Sequence, residues 1–114
     1  MTKAATFGRA DVVKLMLEKG VNPASRDVDA TALHFAAANG HMDIVNLLLA
    51  RGAQLETLNS YGGTVLTGTL WYAYNGPVDG VDYPAVIRAL IDAGARTDVY
   101  PKTREHIDAL LARG

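Results

Sequence analysis

The hydrophobic positions of this chain fall into four blocks of one design. Residues 12–20 (VVKLMLEKG) lie in pattern over 44–52 (IVNLLLARG), over 86–94 (VIRALIDAG) and over 106–114 (HIDALLARG). Each block is apolar at most positions except the third and the seventh or eighth. That predicts a buried helix with a narrow wetted stripe. Each ends in glycine, which closes a helix in the left-handed conformation without a Cβ penalty. Lys19, Arg51 and Arg113 stand just before three of those glycines, where the helix dipole favours a cation. Asp11 and Asp43 hold matching first-turn positions, where it favours a carboxylate. The copies agree on start, face and stop, so the chain reads as an internal repeat.

Spacing and intervening sequence narrow the kind of repeat. Gly20 and Gly52 are 32 residues apart, Gly52 and Gly94 are 42 apart, and Gly94 and Gly114 only 20. Residues 31–41, TALHFAAANGH, resemble the ankyrin signature T-P-L-H-x-A-A-x-x-G-H, with Ala32 where proline is usual. Gly52-Ala53 and Gly94-Ala95 match the Gly-Ala that leads into the next turn of such repeats. Residues 59–66, NSYGGTVL, match the turn D-x-x-G-x-T-P-L, with Asn59 for Asp and Val65 for Pro. Over nearly its whole length the chain resembles the ankyrin-repeat family, whose period is about 33 residues.

The resemblance implies an all-α solenoid: helix pairs stacked side by side, with β-turn fingers projecting from one edge. It divides a single domain, 1–114, into repeat one (1–20, truncated), repeat two (21–52), repeat three (53–94) and a C-terminal capping helix within 95–114. Helices are expected near 3–7, 32–39, 42–51, 65–74, 84–93 and 103–113, with Thr103 as an N-cap and the last unit lacking its first helix. Repeat three carries an insertion at 74–83, where Gly, Pro and Asp predict a loop and Pro84 fits the following first turn. It is either tolerated lengthening, since loop closure entropy grows slowly, or part of a binding face. Thr67 stands where the family has His, at the place of His34. The resemblance makes His34 scaffold, and its loss at Thr67 should loosen repeat three or change its finger packing.

Composition removes other classes of function. The 114 residues are 49% hydrophobic and 20% charged, with a formal net charge of −1. That is globular composition without the basic footprint of a nucleic-acid binder. No apolar run approaches a membrane span, so no membrane partner is expected. Without cysteine there is no disulfide, thiol nucleophile or Cys-ligated metal, and the cytoplasm is the expected compartment. No phosphate-loop, dinucleotide, Ser-elbow or zinc-protease motif occurs, and His34, His41 and His106 lack metal-ligand spacing. Neither an enzyme nor a cofactor or metal is expected.

Surface is what remains. The resemblance implies that a partner protein is bound at the finger tips and the exposed side of the first helices, which line a concave face. Carried over by position, the partner-binding candidates are Arg26, Asp27, Asp29, Asn39, Ser60, Tyr61, Trp71 and Tyr72. Five of the eight aromatic residues, Tyr61, Trp71, Tyr72, Tyr74 and Tyr83, fall in repeat three and its insertion. Trp and Tyr anchor interfaces because large amphipathic rings give contact area for little entropy. Trp71 could instead pack under the insertion with Tyr74, Pro77 and Tyr83. The rival reading is a self-associating unit, or the end of a larger array that regulates or targets a linked domain. It would use an uncapped apolar end around Phe7, Val13 and Met16, and the expected state is a monomer or a weak self-associate. A pocket under 74–83, using Asp79, Asp82 and Tyr83, would serve a small molecule.

Overall fold

Among the described residues seven helices form where the repeated pattern places them: α1 (Thr2–Thr6), α2 (Ala10–Glu18), α3 (Ala32–Ala38), α4 (Met42–Ala50), α5 (Val65–Asn75), α6 (Tyr83–Asp92) and α7 (Thr103–Arg113). The structure, a computed structural model, describes residues 1–113, so the fourth closing glycine, Gly114, lies outside the described residues. Gly20, Gly52 and Gly94 close α2, α4 and α6 at φ 91°, 84° and 105°, with open space where a Cβ would stand. Threonines open two of the inner helices. Thr31 and Thr64 each accept the backbone N–H three residues on, at 3.4 and 3.2 Å, in capping boxes closed by His34 and Thr67. Asp82 caps α6 by accepting from Ala85 N at 3.1 Å, with Pro84 in the first turn.

Helices α1, α3 and α5 stack as an inner row, each paired with an outer partner, α2, α4 or α6. Helix α7 lies across both α5 and α6, so it covers the end of the stack and does not extend one row. Its outward positions Arg104, Glu105, Asp108 and Ala112 are exposed, while Ile107 and Leu110 are buried. The molecule is elongated, 41 Å against 26 and 24 Å, as a short solenoid should be. One continuous core runs through it. Val13, Leu33, Ile44, Leu48, Leu66, Ile87, Leu90 and Ile107 are fully buried, and every unit contributes. Each such side chain stabilises the fold by about 1.5–3 kcal/mol relative to exposure. Val13 therefore belongs to the core and not to an exposed apolar end. Phe7 and Leu15 are the large side chains that α2 and its approach leave in solvent, 74% and 54% exposed.

The insertion is shorter as a loop than its sequence suggests. Tyr74 and Asn75 continue α5, Tyr83 opens α6, and only 76–82 is irregular. It is fastened by the device that joins repeats one and two. There the His41 Nε2–H donates to the Thr6 carbonyl at 3.0 Å. In the next repeat the Tyr83 hydroxyl donates to the Ala38 carbonyl at 2.7 Å and accepts from Val78 N at 3.0 Å. Gly40, at φ 72°, lies under Val81: a Cβ there would stand 2.7 Å from Cγ1. Tyr83 is buried, and its hydroxyl is committed to backbone, not to a ligand pocket.

Candidate functional site

The concave side is built from two fingers, the inner helices and the approach to α7. The first finger turns on Asp27, whose Oδ1 accepts from Ala30 N at 2.9 Å and Asp29 N at 2.8 Å. Those two amides hold the Asp27 carboxyl below its ordinary value of 3.8. The second finger turns on Asn59, whose Oδ1 accepts from Gly63 N at 2.8 Å and Tyr61 N at 3.0 Å. The fingers are joined to each other. Ser60 N donates to the Asp29 carbonyl at 2.7 Å, and Arg26 Nη1 donates to the Leu58 carbonyl at 3.0 Å.

His34 ties the inner row to the fingers. Its Nδ1 accepts from Thr31 N at 3.3 Å and meets Thr31 Oγ1 at 2.8 Å, while Nε2 faces the Gly63 carbonyl at 3.2 Å. A carbonyl only accepts, so this network assigns the neutral ring with its proton on Nε2. Burial lowers the His34 pKa from 6.5 by penalising the charged form, and the nearby Arg26 charge lowers it further. Thr67 keeps the local half of this arrangement, accepting from Thr64 N at 2.7 Å, but it is too short to reach the next finger. The tie runs in the opposite direction instead: the Tyr100 hydroxyl donates back to the Gly62 carbonyl. The altered finger packing expected from losing the histidine is thus a phenol anchored one repeat later.

These elements enclose a groove of about 750 Å³ that includes Asp29, Ser60, Tyr61, Trp71 and Tyr72. Five of the eight candidate residues are brought together in this way. Tyr61 at the finger tip is 93% exposed and Trp71 on α5 is 59% exposed. Trp71 and Tyr72 meet edge to face, centroids 5.4 Å apart at 88°. The other three stand outside the groove wall. Arg26 rests on finger carbonyls, Asp27 holds its own turn, and Asn39 Nδ2 donates to the Phe35 carbonyl at 2.8 Å at the end of α3. Trp71 does not pack under the insertion. Of the remaining repeat-three aromatics, Tyr83 is core, and Tyr74 lies on α7 with its hydroxyl 2.8 Å from the His106 carbonyl and the Arg113 guanidinium 4.9 Å from its ring centre.

Two groove aromatics were not among the candidates, Phe35 and Tyr100. Phe35 was accessible by helical periodicity, since it stands four residues before Asn39 on one face. Tyr100 was accessible by extending the finger alignment past Gly94-Ala95. Among the described residues no cluster of three or more His, Asp or Glu is placed to hold a metal, and no helix is long and apolar enough to cross a membrane.

Comparison with known proteins agrees with this architecture. The family model described as ankyrin repeats, three copies, matches residues 1–100. The ankyrin repeat and KH domain-containing protein mask-1 of Caenorhabditis elegans is 40% identical over 118 residues, covering 99% of this chain and 4% of that protein. Serine/threonine-protein kinase 12 of Arabidopsis thaliana is 35% identical over 69 residues, 60% of this chain and 15% of the kinase. The chain therefore spans only a small part of the curated relatives it matches. The crystal structure of the human ASB11 ankyrin repeat domain superposes with a TM-score of 0.74 at 23% identity, over 99% of this chain and 53% of that one.

Proposed function

The chain belongs to the ankyrin-repeat family, and from that premise we propose that it is a non-catalytic module that binds a partner protein through its concave face. The single observation that carries this reading is the convergence of Tyr61, Trp71, Tyr72 and Tyr100 on one groove, braced by hydrogen-bonded fingers. Exposed rings on a hydrogen-bonded frame supply contact area for little ordering cost. Asp29, Ser60, Tyr61, Trp71 and Tyr72 would touch the partner. Arg26 and Asp27 would hold the fingers that present them, and Asn39 would mark the groove's edge. The domain is one unit, 1–114, in repeats 1–20, 21–52 and 53–94 with the last helix as cap.

Capture from native lysate tests this, with wild type beside a Trp71→Ala/Tyr72→Ala variant first shown to fold by circular dichroism. A partner retained by the wild type and lost by the folded variant supports the groove. One retained equally by both refutes it. A second reading, self-association, is favoured by the exposure of Phe7 and Leu15 in the first repeat. Light scattering separates the two, because a mass that does not rise with concentration removes self-association. The names of two relatives, a serine/threonine kinase and a glycerophosphocholine phosphodiesterase, would suit such a module serving a linked enzyme.

A further inference from the structure

Resting on the groove reading above, we propose that the groove takes a peptide segment presenting an arginine, its guanidinium stacked on the exposed rings and paired with the Asp29 carboxylate. Three observations converge on this chemistry. The groove offers aromatic faces, above all those of Trp71 and Tyr61, and the negative face of such a ring attracts a cation. Among the described residues, Asp29 is the only carboxylate on the groove wall. It stands in none of the ion pairs among the described residues, and its single side-chain partner is the Ser60 hydroxyl at 3.4 Å. No lysine or arginine among the described residues lines the groove. The neighbouring guanidinium of Arg26 is spread over the carbonyls of Leu58, Asp27 and Asp29, at 3.0, 3.3 and 3.5 Å, and not over the carboxylate.

The wall thus presents π faces and one unpaired negative charge. An acidic or phosphorylated segment would meet repulsion there. A purely apolar or proline-rich segment would cover the Asp29 carboxylate without pairing it, at a desolvation cost. A cation satisfies both features at once. Arginine fits better than lysine because its planar guanidinium is weakly hydrated, stacks on rings and presents a fork to a carboxylate.

Trp71 is the only tryptophan in the chain, so intrinsic fluorescence reports on this groove directly. The experiment pans short random displayed peptides on the full chain, with depletion against the folded Trp71→Ala/Tyr72→Ala variant. Selected peptides are then titrated against Trp71 fluorescence. The expected result is enrichment of arginine. Replacing that arginine by citrulline, equal in shape but uncharged, should weaken binding about tenfold. Asp29→Asn should weaken the arginine peptide several-fold and leave the citrulline peptide unchanged. Groove-dependent peptides dominated by proline or acidic residues, or indifferent to citrulline, would overturn the arginine proposal and leave the groove standing. A panning that yields no groove-dependent peptide would overturn both.

Discussion

At the scale of single residues, His34 joins local capping to the long-range geometry of the fingers. Its ring accepts at one nitrogen and donates at the other, so adding a proton would turn the Nδ1 acceptor into a donor facing Thr31 N–H. Burial lowers its folded-state pKa from the ordinary 6.5, so below 6.5 the unfolded chain binds more protons than the folded one. This contribution to stability is complete above 6.5 and is lost as pH falls through the lowered folded value. Urea unfolding is expected to show a midpoint that declines on acidification below 6.5, well before Asp11 and Asp27 are protonated, since both are held below 3.8. A His34→Gln variant should be less stable at neutral pH by about 1–2 kcal/mol and flatter across that window. An unchanged slope in the variant would refute the role.

Among the elements, the inserted segment shows how a solenoid absorbs extra chain. Loop 76–82 closes over the α3–α4 turn, and Tyr83 occupies the place at the head of α6 that His41 occupies beside α4. A phenol does for one junction what an imidazole does for the other, because both reach a carbonyl at the end of the preceding inner helix. Tyr83→Phe keeps the ring in the core but strands the Ala38 carbonyl and the Val78 amide. The expected cost is about 1–3 kcal/mol, with faster hydrogen exchange at Val78. Wild-type stability together with unchanged exchange would show that the loop is fastened elsewhere. No residue of this loop lines the groove.

For the whole molecule, apolar stacking and side-chain hydrogen bonds to backbone hold the repeats together, and no ion pair among the described residues links one repeat to the next. The ion pairs among the described residues, Arg9–Asp11, Arg96–Asp98 and Arg104–Asp108, are solvent-exposed and each lies within a single segment. Exposed pairs of this kind contribute 0 to about 1 kcal/mol each and are screened by salt. Unfolding free energy is therefore expected to change by less than about 1 kcal/mol between low and high sodium chloride. Binding of an arginine peptide in the groove should weaken with the same salt. A large salt effect on folding would mean that charge interactions between repeats had been underestimated.

Local rules carried most of the fold in the amino-acid sequence itself. The apolar period, the closing glycines at 20, 52 and 94, and Thr31 and Thr64 act within one helical turn, so α2 to α7 were legible to within two residues. The fingers came from the family resemblance, and Asp27, a partner-binding candidate by position, bonds instead to amides two and three residues ahead, as Asn59 does to amides two and four ahead. Tertiary structure alone decided where the aromatic residues went. Tyr83 meets Ala38 across 45 residues and Tyr100 meets Gly62 across 38. Trp71, read from sequence as either groove or loop packing, lines the groove with Tyr61. A ring's destination depends on which surface the next repeat brings to it, and no pattern within a single repeat contains that surface.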